Sequence, residues 1–274
     1  MKPPAFEYAD PATLDEALAV LAAHGDDVVV LAGGQSLIPL LNLRLARPEV
    51  VLDLRRIASL GCWEASADAL EVGAMVRLAA LERDPSIAVS HAGLRRALGF
   101  IGHEQIRERA TVGGSLSHAD PAAELPAVLV ALEGSVRVMS AARGARVIAA
   151  GDFFGGAFSN TRAPDELVVS ARFPRLDALS TVVEVARRPG DFAMAGAFVA
   201  LGAGFARVAL FGVHDRPVRV TSAEAAAVAG ATPAEVAALV RAAVSPNADV
   251  HASASYRRHL AGTVVARALA ELAP

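Results

Sequence analysis

The sequence predicts an α+β protein: an N-terminal part made of two α/β units, then a C-terminal part that joins an antiparallel sheet to helices. Three observations carry this. Over the first 60 residues, apolar runs alternate with a helical pattern in the order of an open α/β sheet. Two double-glycine segments, VVVLAGGQS (Val28 to Ser36) and ATVGGSLSHADPAAELP (Ala110 to Pro126), punctuate the N-terminal half. After residue 178, three strand-like runs precede three helical ones.

In residues 1–60, Thr13 and Glu16 have capping-box spacing ahead of ALAVLAAHG, and Gly25 stops that helix. VVVLA (Val28 to Ala32) is a buried strand. Ser36 is expected to cap SLIPLLNLRLA, with Pro39 tolerated in the first turn. VVLDL, ending at Leu54, is the next strand. A glycine loop thus falls at the C-terminal end of a strand, where open α/β sheets bind ligands.

Residues 61–177 form the second unit. ALEVGAMV reads as a strand and turn, and Leu78 to Leu98 as mostly helix interrupted by Pro85. The second glycine segment and an apolar stretch from Leu125 to Leu132 follow, then the strands SVRVMSA and ARVIAA. The loop DFFGGAFSNTRAPDE leads to ELVVSARFP, which alternates like a half-buried strand. In residues 178–274, STVVEVARR, FAMAGAFVAL and FARVALFGV read as antiparallel strands, with GAGF as the hairpin between the last two. SAEAAAVAGA, TPAEVAALVRAAV and SYRRHLAGTVVARALAEL read as helices, the second opened by Thr232-Pro233.

Composition narrows the function classes. With 274 residues and 54 % hydrophobic content, the chain can fill more than one core. Interspersed charges and a net charge of −3 leave no basic stripe for nucleic acid. Cys62 is the single cysteine, so an intramolecular disulfide and a cysteine-ligated iron–sulfur cluster are excluded within the chain. No run approaches the ~18 to 20 apolar residues of a membrane span, and MKPPAFEYADP lacks the centre of a signal peptide. A reduced, cytoplasmic setting is expected.

The glycine segments carry the chemistry. Glycine pairs let backbone N–H groups crowd an anion, because no Cβ blocks the approach. Ala32-Gly33-Gly34-Gln35-Ser36 is neither G-x-G-x-x-G nor a Walker loop. It is an anion nest at a helix start or a tight strand-to-helix turn. Thr111-Val112-Gly113-Gly114-Ser115 adds two hydroxyls, and Glu124 could accept hydrogen bonds from a ribose; a turn with a helix cap explains the same residues. Together the segments suggest a diphosphate gripped from two sides. His118 with Asp120, and His103 with Glu104, lack metal-site spacing, and Ser115 stands in no nucleophile elbow.

Four segments resemble the FAD-binding medium subunits of the molybdenum hydroxylase family, which includes carbon monoxide and xanthine dehydrogenases: AGGQSLIPLLNLRLARPEVVLDL, IGHEQIRERATVGGSLSHADPAAELPAVL, RRPGDFAMAG and SASYRRHLAGTVVARAL. They occur in family order across nearly the whole chain. The resemblance implies a PCMH-type, vanillyl-alcohol-oxidase-like FAD-binding domain over residues 1–177 (subdomains 1–60 and 61–177) and a C-terminal domain over 178–274. It implies that Ala32 to Ser36 and Thr111 to Ser115 wrap the FAD diphosphate. By position, Ile101 and Val168 contribute backbone contacts, Glu124 meets the adenosine portion, and Phe192 lies near the isoalloxazine. Two positions depart from the family pattern: Glu184, where relatives commonly carry lysine, and Phe192, which is tyrosine in some members.

The implied role is electron transfer. A molybdopterin-containing large subunit acts on the substrate, a [2Fe-2S] small subunit relays electrons, and this chain's FAD passes them to an external acceptor, in a dimer of heterotrimers. No catalytic acid, base or metal is expected in this chain. The alternatives are a stand-alone flavoprotein oxidase or reductase of the same fold and a cofactor-free assembly subunit.

Overall fold

The computed structural model describes residues 2–273. The N-terminal unit is a parallel sheet of β1 (Glu7–Ala9), β2 (Val28–Leu31) and β3 (Val50–Asp53) in the order β1-β3-β2. Helix α1 (Leu14–His24) joins β1 to β2, and α2 (Leu37–Asn42) joins β2 to β3. The capping box forms as expected: the Thr13 hydroxyl accepts from the Glu16 N–H, and the Glu16 carboxylate accepts from the Thr13 N–H. Gly25 ends α1 at φ +54°. Ser36 is a correction. The Ile38 N–H already donates to the Gly34 carbonyl, so Ser36 lies within the first wound turn and its hydroxyl caps nothing. The helix also stops at Asn42, short of the expected stretch, with Arg44 left-handed at φ 58°.

The second unit starts with β4 (Trp63–Ala65) and β5 (Ala69–Gly73). Pro85 divides the expected helix into α3 (Leu78–Arg83), α4 (Pro85–Ser90) and α5 (Ala92–Phe100); Asp84 caps α4 by accepting from the Ser86 N–H. Then come α6 (Glu104–Arg107), α7 (Val112–His118) and α8 (Glu124–Ala131), followed by β6 (Ser135–Ser140), β7 (Gly144–Ala149), α9 (Ala150–Phe153), the small hairpin β8 (Phe154–Gly156) and β9 (Ser159–Asn160), and β10 (Leu167–Pro174). The main sheet is antiparallel throughout, in the order β4-β5-β10-β6-β7.

The C-terminal sheet of β11 (Ala178–Ala186), β12 (Ala193–Gly202), β13 (Phe205–Phe211) and β14 (Val218–Arg219) is a meander. Gly202 pairs with Phe205 around a two-residue turn in which Gly204 takes φ +78°, as the GAGF segment predicts. Helices α10 (Thr221–Val228), α11 (Pro233–Ala243) and α12 (Ala254–Leu272) complete the fold. Strand alternation sends β11 side chains to two cores. Val182 joins Phe198 and Phe211 in the core that holds Leu94 of α5 and Leu129 of α8. Val183 joins Val199, Leu210, Val240 and Val264 beneath the C-terminal helices. The last sheet is therefore buried on both faces, and one of those faces fixes it to the second unit.

Candidate functional site

Where β2 ends, the chain turns through Ala32–Ser36 and enters α2. A Cβ added to Gly33 would lie 2.4 Å from the Arg109 carbonyl oxygen and 2.8 Å from the Ala110 Cα. The first glycine segment thus rests backbone to backbone on the start of the second. A Cβ on Gly114 would in turn be 3.5 Å from the Ala32 Cβ. Gly34 has φ +75°, and the Gln35 side-chain amide donates to the Gly33 carbonyl at 3.2 Å. Among the described residues, the N–H groups of Gly33, Gly34, Gln35 and Ser36 have no protein acceptor. They are the donors an anion needs.

The second segment differs from the expected open loop. Thr111 is an N-cap and residues 112–118 are helical. Its amides are already committed: Val112 N–H to Val76 O, Gly113 N–H to Ala74 O, Gly114 N–H to the Thr111 hydroxyl and Ser115 N–H to Thr111 O. Gly113 is required because a Cβ there would be 2.5 Å from that of Ala74. The two segments divide the work. The first offers free N–H groups; the second offers a close-lying backbone and the Ser115 hydroxyl.

Both segments border one cavity of about 630 Å³, within the usual size of a cofactor site. Its lining includes Ala32, Gly33, Gly34, Gln35, Ser36, Ile101, Thr111, Gly113, Gly114, Ser115, Glu124, Val168 and Phe192. Val112 is the exception: its side chain is fully buried in the core and it does not border the cavity. Arg107 holds the Ile101 edge, donating to the carbonyls of Ile101 (3.2 Å) and Gly102 (3.1 Å) while paired with Glu82. Gly102 needs its φ of +54° to make that turn. Val168 lies at a β-bulge between β10 and β6, and the neighbouring Val169 carbonyl accepts from Ala74 N–H. Phe192, 72 % exposed, stands at the mouth on the turn between β11 and β12.

Charge in the cavity is unusual. Glu124, at the start of α8, is 6 % exposed. Burial raises its pKa to about 8, and the nearby Glu184 adds to the effect; burial raises Glu184 to about 7. Arg162 was not anticipated from sequence. It also borders the cavity, and its guanidinium donates to the Glu166 backbone carbonyl at 3.0 Å. The Glu166 carboxylate is instead forked by Arg146 at 2.7 and 2.8 Å, which pulls its pKa down to about 2. Arg162 thus has no carboxylate partner among the described residues, and burial lowers its pKa. A lone arginine in an irregular segment carries no sequence signal for such a role. Among the described residues no group of three or more His, Cys, Asp or Glu side chains could hold a metal.

Free amides at the end of a parallel strand, a backbone cradle closed to side chains and a cavity of mixed lining are the features of a cofactor-binding protein and fit a ligand that carries a diphosphate. The family described as the FAD binding domain in molybdopterin dehydrogenase matches residues 4–176, and the CO dehydrogenase flavoprotein C-terminal domain matches residues 181–272. The chain is 40 % identical to the caffeine dehydrogenase subunit beta of Pseudomonas sp. strain CBB1, covering 100 % of this chain and 96 % of that one. It is 32 % identical to the carbon monoxide dehydrogenase medium chain of Hydrogenophaga pseudoflava, covering 98 % and 97 %. Its fold matches a chain of quinoline 2-oxidoreductase from Pseudomonas putida 86 with a TM-score of 0.92 at 34 % identity, covering 99 % and 98 %. The chain belongs to the family of FAD-binding medium subunits of molybdenum hydroxylases. The residues present fit FAD: a dinucleotide diphosphate matches the unpaired amides of Gly33–Ser36, and the closed contact at Gly33 keeps that face free of side chains.

Proposed function

We propose that this chain is the cytoplasmic, FAD-carrying electron-transfer subunit of a molybdenum hydroxylase complex, working with a molybdopterin-containing large subunit and a [2Fe-2S] small subunit in a dimer of heterotrimers. Residues 1–177 form the flavin domain and 178–274 close it from one side. Ala32–Ser36 and Thr111–Ser115 hold the diphosphate, with Val112 acting through the core. Ile101, Val168 and Phe192 bound the ring system, and Glu124 accepts a cofactor hydroxyl. The observation that carries this reading is the backbone contact at Gly33, which brings two sequence-distant glycine segments onto one cavity with four amides unpaired.

Bound FAD supplies a centre that accepts electrons and passes them to an acceptor. The chain's own residues bind, orient and shield it. The free amides and Arg162 meet negative charge, Arg107 fixes the Ile101 edge, and Phe192 covers one side of the mouth. The test is a complex captured through a tag on this chain, with flavin, iron and molybdenum measured together. All three support the reading. Flavin alone supports a stand-alone flavoprotein, and iron with molybdenum but no flavin supports an assembly subunit.

A further inference from the structure

The head of α8 and the middle of β11 bring two carboxyl groups together in an apolar setting. Glu184 shares the β11 face of Val182, which packs against the second unit. Opposite it on β12 is Gly196, and the space a side chain there would fill is held by the Phe211 ring. The Glu124 and Glu184 carboxyls are within hydrogen-bonding reach of each other. The Glu184 Oε2 is buried and finds no donor. Glu124 borders the cavity; Glu184 does not.

The surrounding charges do not neutralise the pair. From the turn after α7 comes Asp120, another acid, which also disfavours ionisation of Glu124. Arg96 of α5 is committed to the Val182 carbonyl and Glu271, and Arg257 of α12 to the Met194 and Gly212 carbonyls and Asp249. Arg207 of β13 pairs with Glu133. His118 and Arg162 also border the cavity, and among the described residues neither forms an ion pair with either glutamate. Two adjoining carboxylates in such a place cannot both be ionised. One proton between them, held by Glu124, supplies Glu184 with a donor, as in carboxyl dyads that share a proton.

We propose that Glu184 is a positioning residue for the cofactor: it accepts the shared proton that Glu124 holds, so that the free carboxyl oxygen of Glu124 meets a cofactor hydroxyl as an acceptor. This rests on the FAD reading above. As pH rises and the shared proton is lost, two like charges face each other, the pair opens and Glu124 leaves its position. Cofactor affinity therefore falls on the alkaline side. Glu184→Gln keeps an acceptor oxygen without a titrating group, and Glu184→Leu removes the acceptor.

The test is FAD rebinding to the flavin-depleted complex, followed by quenching of flavin fluorescence from pH 6 to pH 9, with thermal unfolding of the flavin-depleted samples beside it. Wild type loses affinity by about tenfold or more across this range, the effect of roughly one pKa unit. E184Q binds like wild type at pH 6 and holds that affinity to pH 9. E184L binds at least about tenfold more weakly at pH 6. Unfolding temperature falls with pH in wild type, because burial raises both carboxyl pKa values and neutral-form stability is lost as pH climbs through them, and stays flatter in E184Q. If E184L does not assemble, the wild-type and E184Q profiles decide. Identical pH profiles for those two, or a wild-type affinity that does not change with pH, overturn the proposal and leave the FAD reading standing. Wild-type complex that takes up no FAD at any pH contradicts the FAD reading and the proposal with it.

Discussion

Gly33 works through what it lacks. Any side chain there meets the Arg109 carbonyl, so the contact between the two glycine segments depends on this position. Glu166 shows the opposite logic, a buried carboxylate that needs its partners. Arg146 forks it and the Ala163 N–H donates to it at 2.7 Å. Its pKa is depressed to about 2, so its stabilisation is present above the ordinary carboxylate range and is lost as pH falls through that value. Arg146→Ala destabilises the protein at pH 7, because it leaves the buried Glu166 carboxylate without its main donors. It also moves the acid-unfolding midpoint to higher pH. Denaturant unfolding at pH 7 and an acid titration followed by circular dichroism check both effects. The glycine pair was legible in the sequence because glycine repeats are conspicuous. The Glu124–Glu184 contact was not: the two residues come from different elements and meet only when the C-terminal sheet docks on α8.

At the scale of elements, local chemistry held where it was complete within a few residues. The Thr13–Glu16 box formed, and Thr13→Ala is expected to cost about 1 kcal/mol in thermal or denaturant unfolding. Pro85 placed a helix start as proline at the first helical position does. Helix α7 went against its local signal. Two glycines disfavour helix by roughly 1 kcal/mol each, yet the close approach of Gly113 to Ala74 and the Thr111 cap hold the helix. Such an approach is set by β5 and cannot be read from TVGGS alone. The short strands β1 and β4, three residues each, left no alternation to detect. Arg107 gives the element-level test. Arg107→Lys keeps the charge but loses the planar fork that spans Glu82 and two carbonyls. FAD retention by the complex should drop severalfold, with a loss of stability near 1 kcal/mol for the weakened hydrogen bonds; flavin release on dialysis and thermal unfolding check the two parts.

At the scale of the molecule, the domain division is a matter of chain order more than of packing. Phe198 and Phe211 of the C-terminal sheet lie in the same core as Leu94, Leu129 and Phe173 of the second unit. A chain cut after residue 177 would leave that core open, so it should aggregate or lose its cooperative transition, whereas the full chain should unfold in one calorimetric step. The two-part α+β architecture was legible because the strand and helix periods change along the chain. The shared core was not, because periodicity shows that a face is buried and not what covers it. The cavity depends on that docking, since Gly190, Asp191 and Phe192 line it from the C-terminal part. The most direct test of the central claim is the flavin-to-protein ratio of the complex carrying Gly33→Val beside wild type, with circular dichroism confirming that both are folded. Stoichiometric FAD in wild type and almost none in the folded variant is the predicted result. Full flavin in the variant, or a wild type that carries no flavin, would contradict a cofactor held between the two glycine segments.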